Sequence, residues 1–158
     1  RDRYTYHDAN INLTSNTTTY ALPFGEAIVS SPLYVINANN DIIIQQRGNY
    51  RLDYSIQLES TDNAENDVYV WLNRNYIPEP LSSSVFTVPA RKNNNISGKL
   101  IAATPLAFTA NTGDRIQLMV ASMQSPNVSI VTIPAVNNAI QIPETPAIIY
   151  AITQQDKL

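Results

Sequence analysis

His7 is the only histidine of the chain and cysteine is absent, so no imidazole–thiol pair and no ordinary zinc knuckle can be assembled from these residues. His7 itself sits among polar residues and reads as exposed and incidental. The one concentration of chemistry-bearing side chains is acidic: Glu59, Asp62, Glu65 and Asp67 fall around one polar loop. Two chemistries use such a set. A glycosidase needs two carboxyls, one with its pKa raised by burial, and nothing in Ser60–Asp67 supplies the apolar surroundings for that. A calcium loop needs several hard oxygen donors; Asp62, Glu65 and Asp67 are the metal candidates, although the glycine and closing glutamate of an EF-hand loop are missing. A solvated acidic hairpin accounts for the same residues without a metal. No serine stands in a nucleophile elbow, and neither a phosphate-cradling glycine loop nor a dinucleotide fingerprint occurs. The expectation is a protein that is not an enzyme and carries no cofactor.

Charge narrows the partners. Arg91, Lys92 and Lys99 flank an Asn-rich turn and could meet an anionic glycan or an acidic neighbour, but a solvated turn is the reading expected of them. With a formal net charge of −3, a phosphate-binding surface is not expected, and nucleic acid is excluded as a partner. Sequons at Asn12, Asn16, Asn95 and Asn127 are about as many as this Asn-, Ser- and Thr-rich composition yields by chance. The sequence has no apolar run long enough for a membrane span and no basic-then-apolar leader. It starts with Arg1, which suggests a processed product or a piece of something longer.

The elements that must position these residues are strands. In Gly48–Ser60, Tyr50, Leu52, Tyr54, Ile56 and Leu58 alternate with Arg51, Asp53, Ser55, Gln57 and Glu59, which is the period-two pattern of a long strand with one buried face. Shorter apolar runs recur at 26–30, 33–37, 41–46, 67–75, 83–88, 96–110, 115–122, 128–133 and 147–153, separated by turn signals. The stretch 96–110 is expected to break or bend at Pro105, which cannot donate to a central ladder. Only four glycines are available for the turns, so Asn39-Asn40, Asn93-Asn94-Asn95 and Asn137-Asn138 are expected to supply positive φ angles. The fold expected is all-β: an antiparallel β-sandwich, a jelly roll, preceded by an extended N-terminal arm. Residues 1–22 are the arm or tether and 23–158 the head, and a chain of 158 residues fits one such domain without a metal or disulfide.

Two runs do not alternate. Val68-Tyr69-Val70-Trp71-Leu72 and Ala147–Ile152 are apolar or aromatic on both faces. Such strands need cover from a loop or a second subunit, and Tyr69, Trp71, Ile148 and Tyr150 are the expected interface residues. Trp71 could also be a sugar-stacking platform. In the arm, Tyr4, Tyr6, Ile11 and Leu13 are the expected contacts, ordered only against a neighbour while the head folds on its own.

Tyr50 and Tyr54 in the long strand, Leu58–Asn63 continued by Val68–Asn75, the Thr112-Gly113-Asp114 turn before Ile116 and Leu118, and the closing apolar strand together resemble the trimeric jelly-roll heads of the tumour necrosis factor and complement globular-head superfamily, in the form found in phage and virus virion proteins. The resemblance runs from about Phe24 to Gln154. Tyr76-Ile77-Pro78 departs from it where a glycine-containing turn is expected. What it implies is a homotrimer and a non-enzymatic structural role as a capsid-surface, decoration or fibre-head module, placed on the virion surface among neighbouring virion proteins. A receptor- or glycan-binding fibre head, contacting a host glycan or receptor, and a spore or cell-surface fibril tip are the alternatives on the same fold.

Overall fold

The computed structural model describes residues 3–7, 9–27, 32–37, 39–124 and 126–158, the side chains of 3–7 and 26–27 excepted. The strands among them are β1 (Arg3–His7), β2 (Asn10–Leu13), β3 (Tyr20–Ala21), β4 (Glu26–Ala27), β5 (Tyr34–Asn37), β6 (Asp41–Ile44), β7 (Gly48–Ser60), β8 (Asn66–Arg74), β9 (Ile77–Pro78), β10 (Ser84–Val88), β11 (Gly98–Ala110), β12 (Arg115–Ser122), β13 (Val128–Val131), β14 (Val136–Asn137), β15 (Gln141–Ile142) and β16 (Ile148–Lys157). Fourteen of them form two facing antiparallel sheets, and β14 and β15 pair with each other as a separate two-stranded sheet. The first runs β2-β13-β7-β16-β1-β4, with β11 along the other side of β7; the second runs β10-β8-β12-β6-β5, with β3 added to β12 and β9 to β8. The fold is thus the all-β jelly-roll sandwich that the alternation predicts.

β7 organises the first sheet. Its apolar set, Tyr50, Leu52, Tyr54, Ile56 and Leu58, is buried and faces Val68, Val70 and Leu72 of β8 and Ile116, Leu118 and Val120 of β12 within one apolar core. Along one edge β7 pairs residue for residue with β11, from Gly98 opposite Ser60 to Ala110 opposite Gly48. Pro105 does not interrupt β11. Within the sheet β11 pairs with β7 alone, opposite Asp53 at Pro105, so it is an edge strand, and an edge tolerates a residue without an N–H. Gly98 is required where β11 begins: a Cβ there would lie 1.9 Å from the Pro89 carbonyl oxygen.

The expected arm is part of the sandwich. β1 lies between β16 and β4, β2 extends β13, and Leu13 and Leu22 are fully buried in the core. Its few apolar residues could not build a core alone, but they complete one made elsewhere, so residue 22 is not a boundary in the packing. Ile11 is partly buried against the same core; the side chains of Tyr4 and Tyr6 lie outside the described residues.

Asparagine does its expected work at Asn40, with φ of 59°, and also at Asn75, with φ of 52°. At the other two clusters a different device operates. Asn93 Oδ1 accepts from the Asn95 N–H at 2.8 Å, and Asn138 Oδ1 from the Ile140 N–H at 2.9 Å, so side chains close those turns in place of a left-handed backbone. Two left-handed residues among those described are unexpected, Tyr76 with φ of 67° and Leu81 with φ of 65°. Asn75 and Tyr76 form a two-residue connection from β8 to β9, with Arg74 opposite Ile77, and positive φ at both positions matches the twist of a hairpin.

Candidate functional site

β8 and β16 resolve the two-sided apolar runs into different faces. Along β16, Ile148, Tyr150 and Ile152 are fully buried while Ile149 is exposed. The Tyr150 ring packs on Phe24, centroids 4.6 Å apart, and its hydroxyl donates to the Pro23 carbonyl at 3.1 Å. Burial pushes this phenol well above its ordinary pKa. Ile148 and Tyr150 are therefore core residues, not the interface expected of them; the outward residues of the strand are Ile149, Ala151 and Thr153. Along β8, Val68, Val70 and Leu72 point inward, leaving Tyr69 and Trp71 on the outside of the second sheet. The four residues expected to share one interface thus lie in separate places.

The outward face of the first sheet carries small and apolar residues around one charged pair. Register places Ala103, Ser55 and Ile149 side by side, then Pro105, Asp53 and Ala151, then Ala107, Arg51 and Thr153. Ile101 extends the row and is 57% exposed. The one ion pair there joins neighbours two apart on β7: Arg51 Nη2 lies 3.0 Å from Asp53 Oδ1. Both ends of that bridge are partly exposed, so it neutralises charge on this face more than it stabilises the fold.

The second sheet's outward face is sculpted instead. Trp71 donates its indole N–H to Asn73 Oδ1 at 3.1 Å, and Asn73 Nδ2 donates to Gln117 Oε1 at 3.3 Å; Asn73 and Gln117 are both buried. Over this chain the segment between β2 and β3 closes one side of a groove of about 370 Å³.

The acidic loop does not form a site. Asp62 accepts from the Asn63 N–H and from Asn66 Nδ2, whereas Asp67 accepts from the Thr87 hydroxyl and from Gln124 Nε2. Glu65 is exposed. Among the described residues no three His, Cys, Asp or Glu side chains gather to hold a metal, and no helix is long and apolar enough to cross a membrane. Among the described residues the fully buried carboxylate is Asp41, which spacing did not single out. Asp41 Oδ2 accepts from the Tyr76 hydroxyl at 3.1 Å and faces Arg115 Nη1 at 3.4 Å, so the left-handed Tyr76 is held by a bond to a buried charge.

No protein-family model matches the chain, and no curated protein matches it in sequence. Among solved structures it is similar to the globular domain of zebrafish complement 1qA protein: TM-score 0.56, 5% identity, covering 99% of this chain and 98% of that one. At that identity the likeness is one of fold. The likeness of fold extends over nearly the whole length of both chains.

Proposed function

We propose that the chain is a non-enzymatic homotrimeric head, a structural module of a virion surface that serves as capsid decoration or fibre tip. The observation that carries the trimer is the outward face of the first sheet. Small side chains at Ala103, Ser55 and Ala151 let another backbone approach closely, and the exposed Ile101 and Ile149 beside them are costly in water. The sheet ends at β11, whose free edge and Pro105 give a second surface. Closed three-fold contact between one copy's edge and the next copy's outward face uses both. The sequence resemblance to trimeric virion heads supports the same arrangement. An obligate contact of this kind buries on the order of 2,000 Å² or more, which suits a durable particle surface.

Light scattering of the isolated chain at micromolar concentration tests it: a trimer is expected, and Ala103→Arg should give a folded monomer. A wild-type monomer would remove the trimer, and an intact Ala103→Arg trimer would move it to another face. Imaging of the intact particle with the chain located in it tests the virion placement.

A further inference from the structure

We propose that the groove over Trp71 is a binding site for a neutral carbohydrate. Its floor is apolar: Tyr69 and Trp71, two apart on β8 and therefore on one face, with Ala121 of β12 and Met123 beside them. Its rim is polar, contributed by Asn16 to Thr19 and by Ser83. Among the described residues that line it none is charged, so it has no group to pair with a sialic acid carboxylate or a sulfate. Flat aromatic faces beneath a ring of hydroxyls and an amide match a sugar, whose C–H faces are apolar and whose edge is all hydroxyl.

The platform is also preorganised. A tryptophan that needed a partner for its N–H would turn that edge toward the ligand or solvent. Here the N–H is satisfied by Asn73, which Gln117 holds in turn, so the ring is locked with its carbon surface left for the groove. The rim is braced as well: the Ser15 hydroxyl accepts from the Thr17 N–H at 3.1 Å, and Thr14 and Tyr20 hydroxyls meet at 3.4 Å. About 370 Å³ is room for one or two hexose units. The groove lies on the sheet opposite the proposed trimer face, so the inference holds whether or not the trimer does.

Trp71 is the chain's single tryptophan, so indole emission reports this groove alone. The full chain is titrated with maltotetraose, tri-N-acetylchitotriose and 3′-sialyllactose, with saturation-transfer NMR on the sugars in parallel. A saturable emission change with at least one neutral oligosaccharide, at a Kd on the order of millimolar, is expected. Tyr69→Ala, at a partly exposed position, should weaken it severalfold without unfolding, and Trp71→Ala, followed by NMR, about tenfold or more. Three results would overturn the site: no saturable change with either neutral sugar on folded protein, binding of the sialylated sugar alone, or sugar binding indifferent to Tyr69→Ala. Emission that shifts on diluting the protein without sugar would also overturn it, since a second copy would then occupy the groove.

Discussion

Ser55 and Trp71 occupy matching places, each outward near the middle of a long strand of its own sheet, and their surroundings are opposite. Around Ser55 the neighbours are Ala103 and Ile149 across the ladder, small or aliphatic side chains. Around Trp71 the neighbours are Tyr69, Met119 and a buried amide chain, and the surface is a groove. The inward residues of both strands obey one rule, burial, and are aliphatic or aromatic apart from Gly48 and the hydrogen-bonded pair Ser60 and Asn66. The outward residues obey none in common, because each face answers to what it meets outside the domain. A shared fold therefore says little about function here, and the difference between the two faces says more: one is suited to another protein surface, the other to a small polyhydroxyl ligand.

The comparison can be broken most severely within β8. Val70 is fully buried and Tyr69 is 37% exposed. Val70→Asp places an unpaired charge in the core and should prevent folding, a loss of several kcal/mol read as absent native circular dichroism. Tyr69→Asp should fold with a melting temperature within a few degrees of the parent. Because Tyr69 lies on the grooved sheet, that variant should also stay trimeric, and a folded Tyr69→Asp monomer would put the subunit contact on the wrong sheet.

Alkaline titration sharpens the contrast more gently, since the first sheet contributes inward tyrosines. Burial pushes the Tyr54 phenol up to about 12 and raises Tyr50 and Tyr150 as well. A raised folded-state pKa means that the unfolded chain loses its phenolic protons first. For Tyr54 the stability so conferred is complete below pH about 10 and is lost as pH climbs through about 12. Denaturant midpoints should fall over that window, and Tyr54→Phe should make the fall shallower. The smallest effect is at the turn: Tyr76→Phe keeps the left-handed backbone but removes the hydroxyl from Asp41, and should cost about 1–2 kcal/mol in equilibrium unfolding.

What was legible in the sequence follows the same division. β7 and β12 could be read to their end residues because one face of β7 is apolar and a turn with Gly113 precedes β12; that glycine has φ of 90°. The phase of β16 could not be read, since Ile148-Ile149-Tyr150-Ala151 offers two apolar faces and a one-residue slip exchanges them. The first strands were illegible for another reason. β1 and β2 have little apolar content of their own, and their pairing with β16 and β13 is a tertiary fact. The groove was half legible: Trp71 invites a stacking reading, but the rim residues Asn16 to Thr19 are distant in sequence and only the packing of β3 on β12 brings their segment near.

β16 is the domain's last strand, yet it lies inside its sheet, with Ile148 opposite Ile56 of β7 and Ile149 opposite Tyr6 of β1. On a translating ribosome, β1 and that flank of β7 must wait for it with open edges. Native sheet formation therefore waits on β16 and is governed by long-range closure, which is slow for the domain's size. A transcript cut short before Ile148 would yield chains with unpaired edges that associate with one another, so the cell making this protein has reason to keep it chaperoned until β16 is out.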